Sequence, residues 1–107
     1  MSINPFEMLK NVQKVKEEMQ NFQEKLVHIT ATGSAGGDLV TAKVNGHMQI
    51  VELNISPECV DPRDVDMLRV VIQSAVNDAL AKVREKIKDE MSKSAGGMIP
   101  PGLSGLV

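Results

Sequence analysis

The sequence predicts an α+β protein: one helix, a three-stranded antiparallel meander, then a second helix. Three patterns predict that order. Between Met8 and Ile29 the apolar residues recur at alternating spacings of four and three, the period of a helix with a narrow apolar seam. Between residues 26 and 55 the period falls to two, and Asn45-Gly46 interrupts it, as in strands joined by a tight turn. After Pro62 the helical period returns and runs to Met91 without a further Gly or Pro. A chain of 107 residues holds one domain, which buries roughly 65% of its unfolded surface.

The first helix is expected from about Pro5 to Val27. Ser2 or Asn4 can cap it, and Pro5 suits the first helical position. Its seam is Met8, Val12, Val15, Met19, Phe22, Leu26 and Ile29, with Lys, Glu, Gln and Asn between. So narrow a stripe cannot be buried on all sides. It fits a helix lying on its own sheet, or one that projects so that its far end leaves the core.

In the meander, Val27, Ile29 and Ala31 alternate with His28, Thr30 and Thr32, and Gly33-Ser34-Ala35-Gly36-Gly37 reads as a loop. A two-residue type I′ turn at Asn45-Gly46 would set Val44 opposite His47, Ala42 opposite Gln49 and Val40 opposite Val51. One face then carries Val40, Ala42, Val44, Val51, Leu53 and Ile55, the better core face. The other carries Leu39, Thr41, Lys43, Met48 and Ile50. That second face is too apolar to be left in water, so Leu39, Met48 and Ile50 are the expected contacts of a dimer. Dimerisation would also remove open sheet edges.

Ser56-Pro57 ends the last strand. Asp61 is expected to cap the second helix, with Pro62 at its first position. The apolar stripe is wide up to Leu80 and narrows to Val83, Ile87 and Met91. The first half of this helix is therefore expected in the core and the second half to project. The domain is expected to span residues 1–91. Residues 92–107, rich in Ser, Gly and Pro, read as a mobile tail dispensable for folding.

Composition excludes several functions. Aromatics make up 2% of the chain, Phe6 and Phe22 alone, which argues against base-stacking platforms and large aromatic ligand pockets. One cysteine, Cys59, allows no internal disulfide and no multi-cysteine zinc site, and a single thiol suits a reducing cytoplasm. No apolar run approaches the ~20 residues of a membrane span. Gly33-Ser34-Ala35-Gly36-Gly37 lacks the Gly-Lys-Ser/Thr ending of a phosphate loop and precedes a strand. His28 and His47 have no ligand cluster at metal spacing. Asp61, Asp64 and Asp66 are the acids a helix start attracts. No catalytic residue, metal, cofactor or small-molecule substrate is expected, and the chain does not read as an enzyme.

Charge leaves one candidate surface. The net charge is −2, whereas nucleic-acid-binding domains commonly have a pI above about 9. Any such binding needs a local patch. Lys82, Arg84, Lys86 and Lys88 make the distal end of the second helix net basic, although cations also favour helix C-termini on their own account. Helical spacing puts Lys82 and Lys86 on one side of that helix and Arg84 and Lys88 on another.

The words in sequence order carry a resemblance. Met8-Leu9-Lys10, Gly33-Ser34-Ala35-Gly36-Gly37-Asp38-Leu39-Val40, Val44-Asn45-Gly46, Ile55-Ser56-Pro57, Asp61-Pro62-Arg63-Asp64-Val65-Asp66-Met67-Leu68 and Ala75-Val76-Asn77-Asp78-Ala79 resemble the bacterial YbaB/EbfC family of nucleoid-associated proteins. The resemblance covers essentially the whole chain. It implies an α-β-β-β-α protomer, a homodimer with helices projecting like tweezers, and loosely specific binding of double-stranded DNA at the nucleoid, in chromosome organisation and gene regulation. It implies DNA contacts at Lys10 and Lys14 of the first helix and at Lys82, Arg84, Lys86 and Lys88 of the last. A second class remains open from the residues: a protein–protein adaptor whose heptad helix engages another helix, with DNA binding incidental.

Overall fold

The structure, a computed structural model, describes residues 4–94. Helix α1 (Pro5–His28) leads into strands β1 (Thr30–Ala35), β2 (Val40–Asn45) and β3 (Ile50–Ile55). A single 3-10 turn (Pro57–Cys59) follows, then helix α2 (Val65–Ser94). The strands pair antiparallel in the order β1-β2-β3. The expected α-β-β-β-α order holds. The helix runs past residue 91 to Ser94, and the rest of the expected tail, residues 95–107, lies outside the described residues.

Helix α1 starts where its residues dictate. The Asn4 side-chain oxygen accepts the Phe6 N–H at 3.0 Å, and Pro5 occupies the first turn, where its missing donor costs nothing. Every side chain from Pro5 to Asn21 is exposed. Met8, Val12, Val15 and Met19 are 53–62% exposed. Only Phe22 and Leu26 of this helix, with Ile29 just beyond it, rest against the core. The helix projects.

Helix α2 departs from the expectation at its two ends, while the stripe between residues 68 and 80 packs on the core as expected. Its buried line is Ala75, Ala79, Val83, Ile87 and Met91, while Val65, Met67 and Val70 near its start are exposed. The width of an apolar stripe reports how much wants burial, not where the partner lies. A six-residue strand spans about 20 Å and a 30-residue helix about 45 Å, so only part of α2 can lie on the sheet. Gly33 decides which part. A Cβ at Gly33 would fall on the Ala79 nitrogen and the Ala75 carbonyl oxygen. The glycine and the two alanines together let the helix backbone reach the strand.

Three local readings are corrected. Gly33-Ser34-Ala35 belongs to β1, and the loop to β2 begins at Gly36. Gly36, Gly37 and Asp38 take φ of 67°, 65° and 71°, a run of left-handed residues that glycine makes inexpensive. Helix α2 is capped by Asp64, whose Oδ1 accepts the Met67 N–H at 3.2 Å. Asp61 instead closes a turn on Arg63, accepting its N–H at 2.9 Å and its guanidinium at 3.1 Å. Pro62 sits within that turn, ahead of the helix.

The third correction is the hairpin. The Asn45 N–H donates to the Gln49 carbonyl and the Met48 N–H to the Asn45 carbonyl, both at 3.0 Å. The loop is therefore Gly46-His47-Met48, with the left-handed residue at Met48 (φ 61°), not a type I′ turn at Asn45-Gly46. Asn45 is buried and its Oδ1 accepts the N–H groups of His47 and Gln49. Gly46 is pressed under the end of α1, where its N–H donates to the Leu26 carbonyl at 2.9 Å. The register becomes Val44 with Ile50, Ala42 with Leu53 and Val40 with Ile55, with an irregularity next to Lys43 and Val44.

The faces change accordingly. Val40, Ala42 and Val44 are fully buried as expected. Alternation sets Val51, Leu53 and Ile55 beside them, but all three are exposed, because α2 packs on β1 and β2 and leaves β3 uncovered. Leu39, Met48 and Ile50 do not share one outer face. Leu39 packs against the core beside Gly36 and Val71. Met48 lies in the hairpin loop and Ile50 opens β3, both exposed.

Candidate nucleic-acid interface

The six cations expected to contact DNA fall into two groups. On α2, Asp78, Lys82 and Lys86 follow one another at intervals of four and share one side of the helix. That side leans on the outer edge of β1. Asp78 Oδ2 accepts the Ser34 N–H at 3.1 Å, Lys82 Nζ donates to the Thr32 carbonyl at 3.5 Å, and Lys86 Nζ donates to the Thr30 carbonyl. Lys82 also pairs with Asp78 at 3.0 Å. Lys82 first, and then the Ser34 N–H, hold the Asp78 carboxyl below the usual carboxylate range. Lys82 and Lys86 are thus engaged with their own chain.

Arg84 and Lys88 point elsewhere. Both are exposed, and among the described residues neither forms an ion pair or a side-chain hydrogen bond. Lys10 and Lys14, one helical turn apart on α1, are in the same condition. The structure therefore leaves four of the six expected DNA-contact residues free and commits two to the sheet edge. Helical spacing separates Lys82 and Lys86 from Arg84 and Lys88; which of the two sides meets β1 follows only from the packing of α2.

Other candidate features take structural roles. His28 and His47 are exposed. Among the described residues no three His, Cys, Asp or Glu side chains gather as a metal site. Cys59 is buried, its thiol donating to the Ser56 carbonyl at 3.0 Å. The Asp61 carboxyl lies below its ordinary range because Arg63 bonds to it from side chain and backbone. Among the described residues no helix is long and apolar enough to cross a membrane.

Two apolar surfaces escaped the sequence reading. The first is the uncovered face of β3, where Ile50, Val51, Leu53 and Ile55 are 37–51% exposed, with Val65, Met67 and Val70 of α2 exposed as well. The second is a groove of about 770 Å³ where the α1 seam passes the hairpin loop, lined by Val15, Met19, Phe22, Met48, Ile87 and Met91 among others. The unbroken Met and Val seam of α1 was its sequence signal.

Known proteins share this sequence pattern and this fold. The chain is 43% identical over 96 residues to a nucleoid-associated protein of Alkaliphilus metalliredigens, covering 90% of this chain and 84% of that one. It is 42% identical over 103 residues to a nucleoid-associated protein of Pelotomaculum thermopropionicum, covering 96% and 98%. Among solved structures, uncharacterised protein HP0035 of Helicobacter pylori shares the fold with a TM-score of 0.70 at 22% identity, over 88% of this chain and 99% of that one. The sequence model of the YbaB/EbfC DNA-binding family, which is not a family of enzymes, matches residues 1–98. With that match and those relatives, the chain belongs to the YbaB/EbfC DNA-binding family.

Proposed function

We propose that the chain works as a homodimeric binder of double-stranded DNA with loose sequence preference, at the nucleoid, in chromosome organisation and gene regulation. The observation that carries the reading is a set of exposed cations on two helices, Lys10 and Lys14 on α1 with Arg84 and Lys88 on α2, that form no ion pair among the described residues. Lys and Arg on helices meet phosphate, and phosphate contacts position a protein without specifying sequence. Two copies present these cations twice at a fixed separation, the kind of local patch that a chain of net charge −2 needs to hold phosphate. Lys82 and Lys86, occupied at the β1 edge, drop to a secondary place in the contact set.

The dimer rests on the uncovered face and open edge of β3. An apolar strand left half-exposed beside an overhanging helix is a surface that a second copy covers. Ile50 belongs to it and Met48 lies next to it in the hairpin loop, while Leu39 packs against the core. Light scattering at micromolar concentration should give about twice the 11.6 kDa chain mass; a folded monomer of that mass would remove the dimer.

A second reading keeps its own observation, the exposed seam Met8, Val12, Val15 and Met19, which suits a helix of another protein. A mobility-shift titration of the parent protein against random and genomic duplexes at two salt concentrations separates the two. Phosphate contacts release counterions, so DNA affinity should fall steeply with salt. Absence of a shift at low salt would favour the adaptor.

A further inference from the structure

We propose that Asp78, Lys82 and Lys86 of α2 act as a surrogate strand that closes the outer edge of β1, so that the sheet can add a strand only at β3. The inference rests on the proposed dimer for its consequence, and on hydrogen bonds for its substance. In an antiparallel edge strand, alternate residues point both N–H and C=O away from the sheet. In β1 these are Thr30, Thr32 and Ser34, since the Ser34 N–H and the carbonyls of Thr32 and Thr30 all meet α2 side chains rather than β2.

The match is metric and chemical. Two residues of strand advance about 6.6 Å and four residues of helix about 6.0 Å. Asp78, Lys82 and Lys86 step down α2 by four while Ser34, Thr32 and Thr30 step back along β1 by two. The two runs stay in register over three rungs. The signs agree at each rung: the carboxylate meets the donor, and the ammonium groups meet the acceptors. Charge-assisted bonds of this kind are stronger than neutral ones. The Asp78–Lys82 pair links the first two rungs.

An open edge is a template for another chain. A protomer with one open edge can pair β3 to β3 about a two-fold axis and stop. A protomer with two open edges can also grow without closure. The ladder on β1 thus restricts the assembly to a closed dimer. Lysine is a residue that natural sheets use to guard edges; here two of them stand on a helix that runs beside the edge.

The test replaces Lys82 and Lys86 together by Met, which keeps the stem and removes the donors, and follows weight-average mass by light scattering as concentration rises. The parent should reach a plateau, whose value reports on the dimer separately. The Lys82→Met/Lys86→Met variant should climb beyond that plateau by about twofold or more, as an open edge allows. Lys82→Arg/Lys86→Arg, which keeps the donors, should stay on it. Adding Thr32→Pro to the Met pair should restore it, because proline blocks an edge. The proposal is overturned if the Met pair stays on the parent plateau, or if the control Lys16→Ala/Lys93→Ala, with equal charge removed, climbs as far. It is also overturned if Thr32→Pro leaves the growth unchanged. Should the Met pair fail to fold, Lys86→Met alone is read by the same criteria.

Discussion

Helices α1 and α2 both carry regular apolar lines, yet only one of them is buried. Along α1 the seam residues Met8, Val12, Val15 and Met19 stand in solvent. Along α2 the line Ala75, Ala79, Val83, Ile87 and Met91 is closed off. Side-chain size explains the contrast. The α2 line begins with two alanines, and opposite them lies Gly33 with no Cβ, so backbones approach and the larger residues beyond are drawn in. The α1 seam offers bulky Met and Val at every step and meets the body only at its last turns, through Phe22 and Leu26. A helical period thus says which face a helix offers for burial; the small residues opposite it say where that face is taken up.

The largest way to break the contrast is Gly33→Val. Its Cβ would strike the backbone of Ala79 and Ala75, which cannot yield as a flexible side chain does. The destabilisation should be about 3 kcal/mol or more, enough to abolish cooperative unfolding in a chain this small. Thermal denaturation followed by circular dichroism reads it, and a parent-like melting temperature would contradict the packing. Val83→Ala comes next. Val83 is fully buried, so removing its methyl groups should cost about 2 kcal/mol of transfer and cavity energy. A denaturant titration measures that difference.

On α1 the same truncation should matter far less to the fold. Val12→Ala replaces a side chain that is 62% exposed and improves helix propensity by about 0.5 kcal/mol. Unfolding of the dilute protein should shift by no more than about 0.5 kcal/mol in either direction. A destabilisation as large as that of Val83→Ala would show that the seam is covered in solution, which a concentration series would then trace to self-association.

The smallest effect concerns pH. In the folded state Lys82, and then the Ser34 N–H, hold the pKa of Asp78 below its ordinary value. A carboxyl shifted down contributes stability above its unfolded pKa, and that stability is lost as pH falls through the folded value. The window therefore opens at the ordinary value of 3.8 and extends below it. Asp78→Asn should flatten the acid limb of a stability–pH profile in that window and leave pH 7 to 9 without slope. Unchanged slope below pH 4 would mean that Asp78 is not held at the edge of β1.

Much of this fold was legible in the residues. Element order followed from the two changes of period, while the narrow seam of α1 allowed a projecting helix without choosing it over one lying on the sheet. The helix start at Asn4-Pro5 was readable because capping is local. The hairpin was not, because Asn45-Gly46 serves two elements. Gly46 lies flat against Leu26, a residue separated from it in sequence by both β1 and β2, and turn rules read only neighbours. Once Gly46 is reserved for α1, the left-handed position passes to Met48 and the whole of β3 changes register. The exposure of Leu53 and Ile55 was hidden for a related reason: alternation assigns a face, and only the path of α2 says which strands that face covers. Of the candidate site, the six cations could be named from sequence, but which side of α2 turns to the sheet edge and which stays free could not. That choice depends on the rotation of the helix, which Gly33 fixes.

The division of the cations into a free group that meets DNA and a group held at the β1 edge has one decisive measurement. It is the salt dependence of duplex binding by the variant Lys10→Ala/Lys14→Ala/Arg84→Ala/Lys88→Ala beside the parent. All four side chains are exposed, so fold and mass should be unchanged. Affinity for every duplex should fall by a similar factor. The slope of log affinity against log salt should flatten by roughly one unit for each phosphate that the variant no longer neutralises. If the variant binds as tightly as the parent with the same slope, DNA is held elsewhere or not at all, and the free cations are not its site.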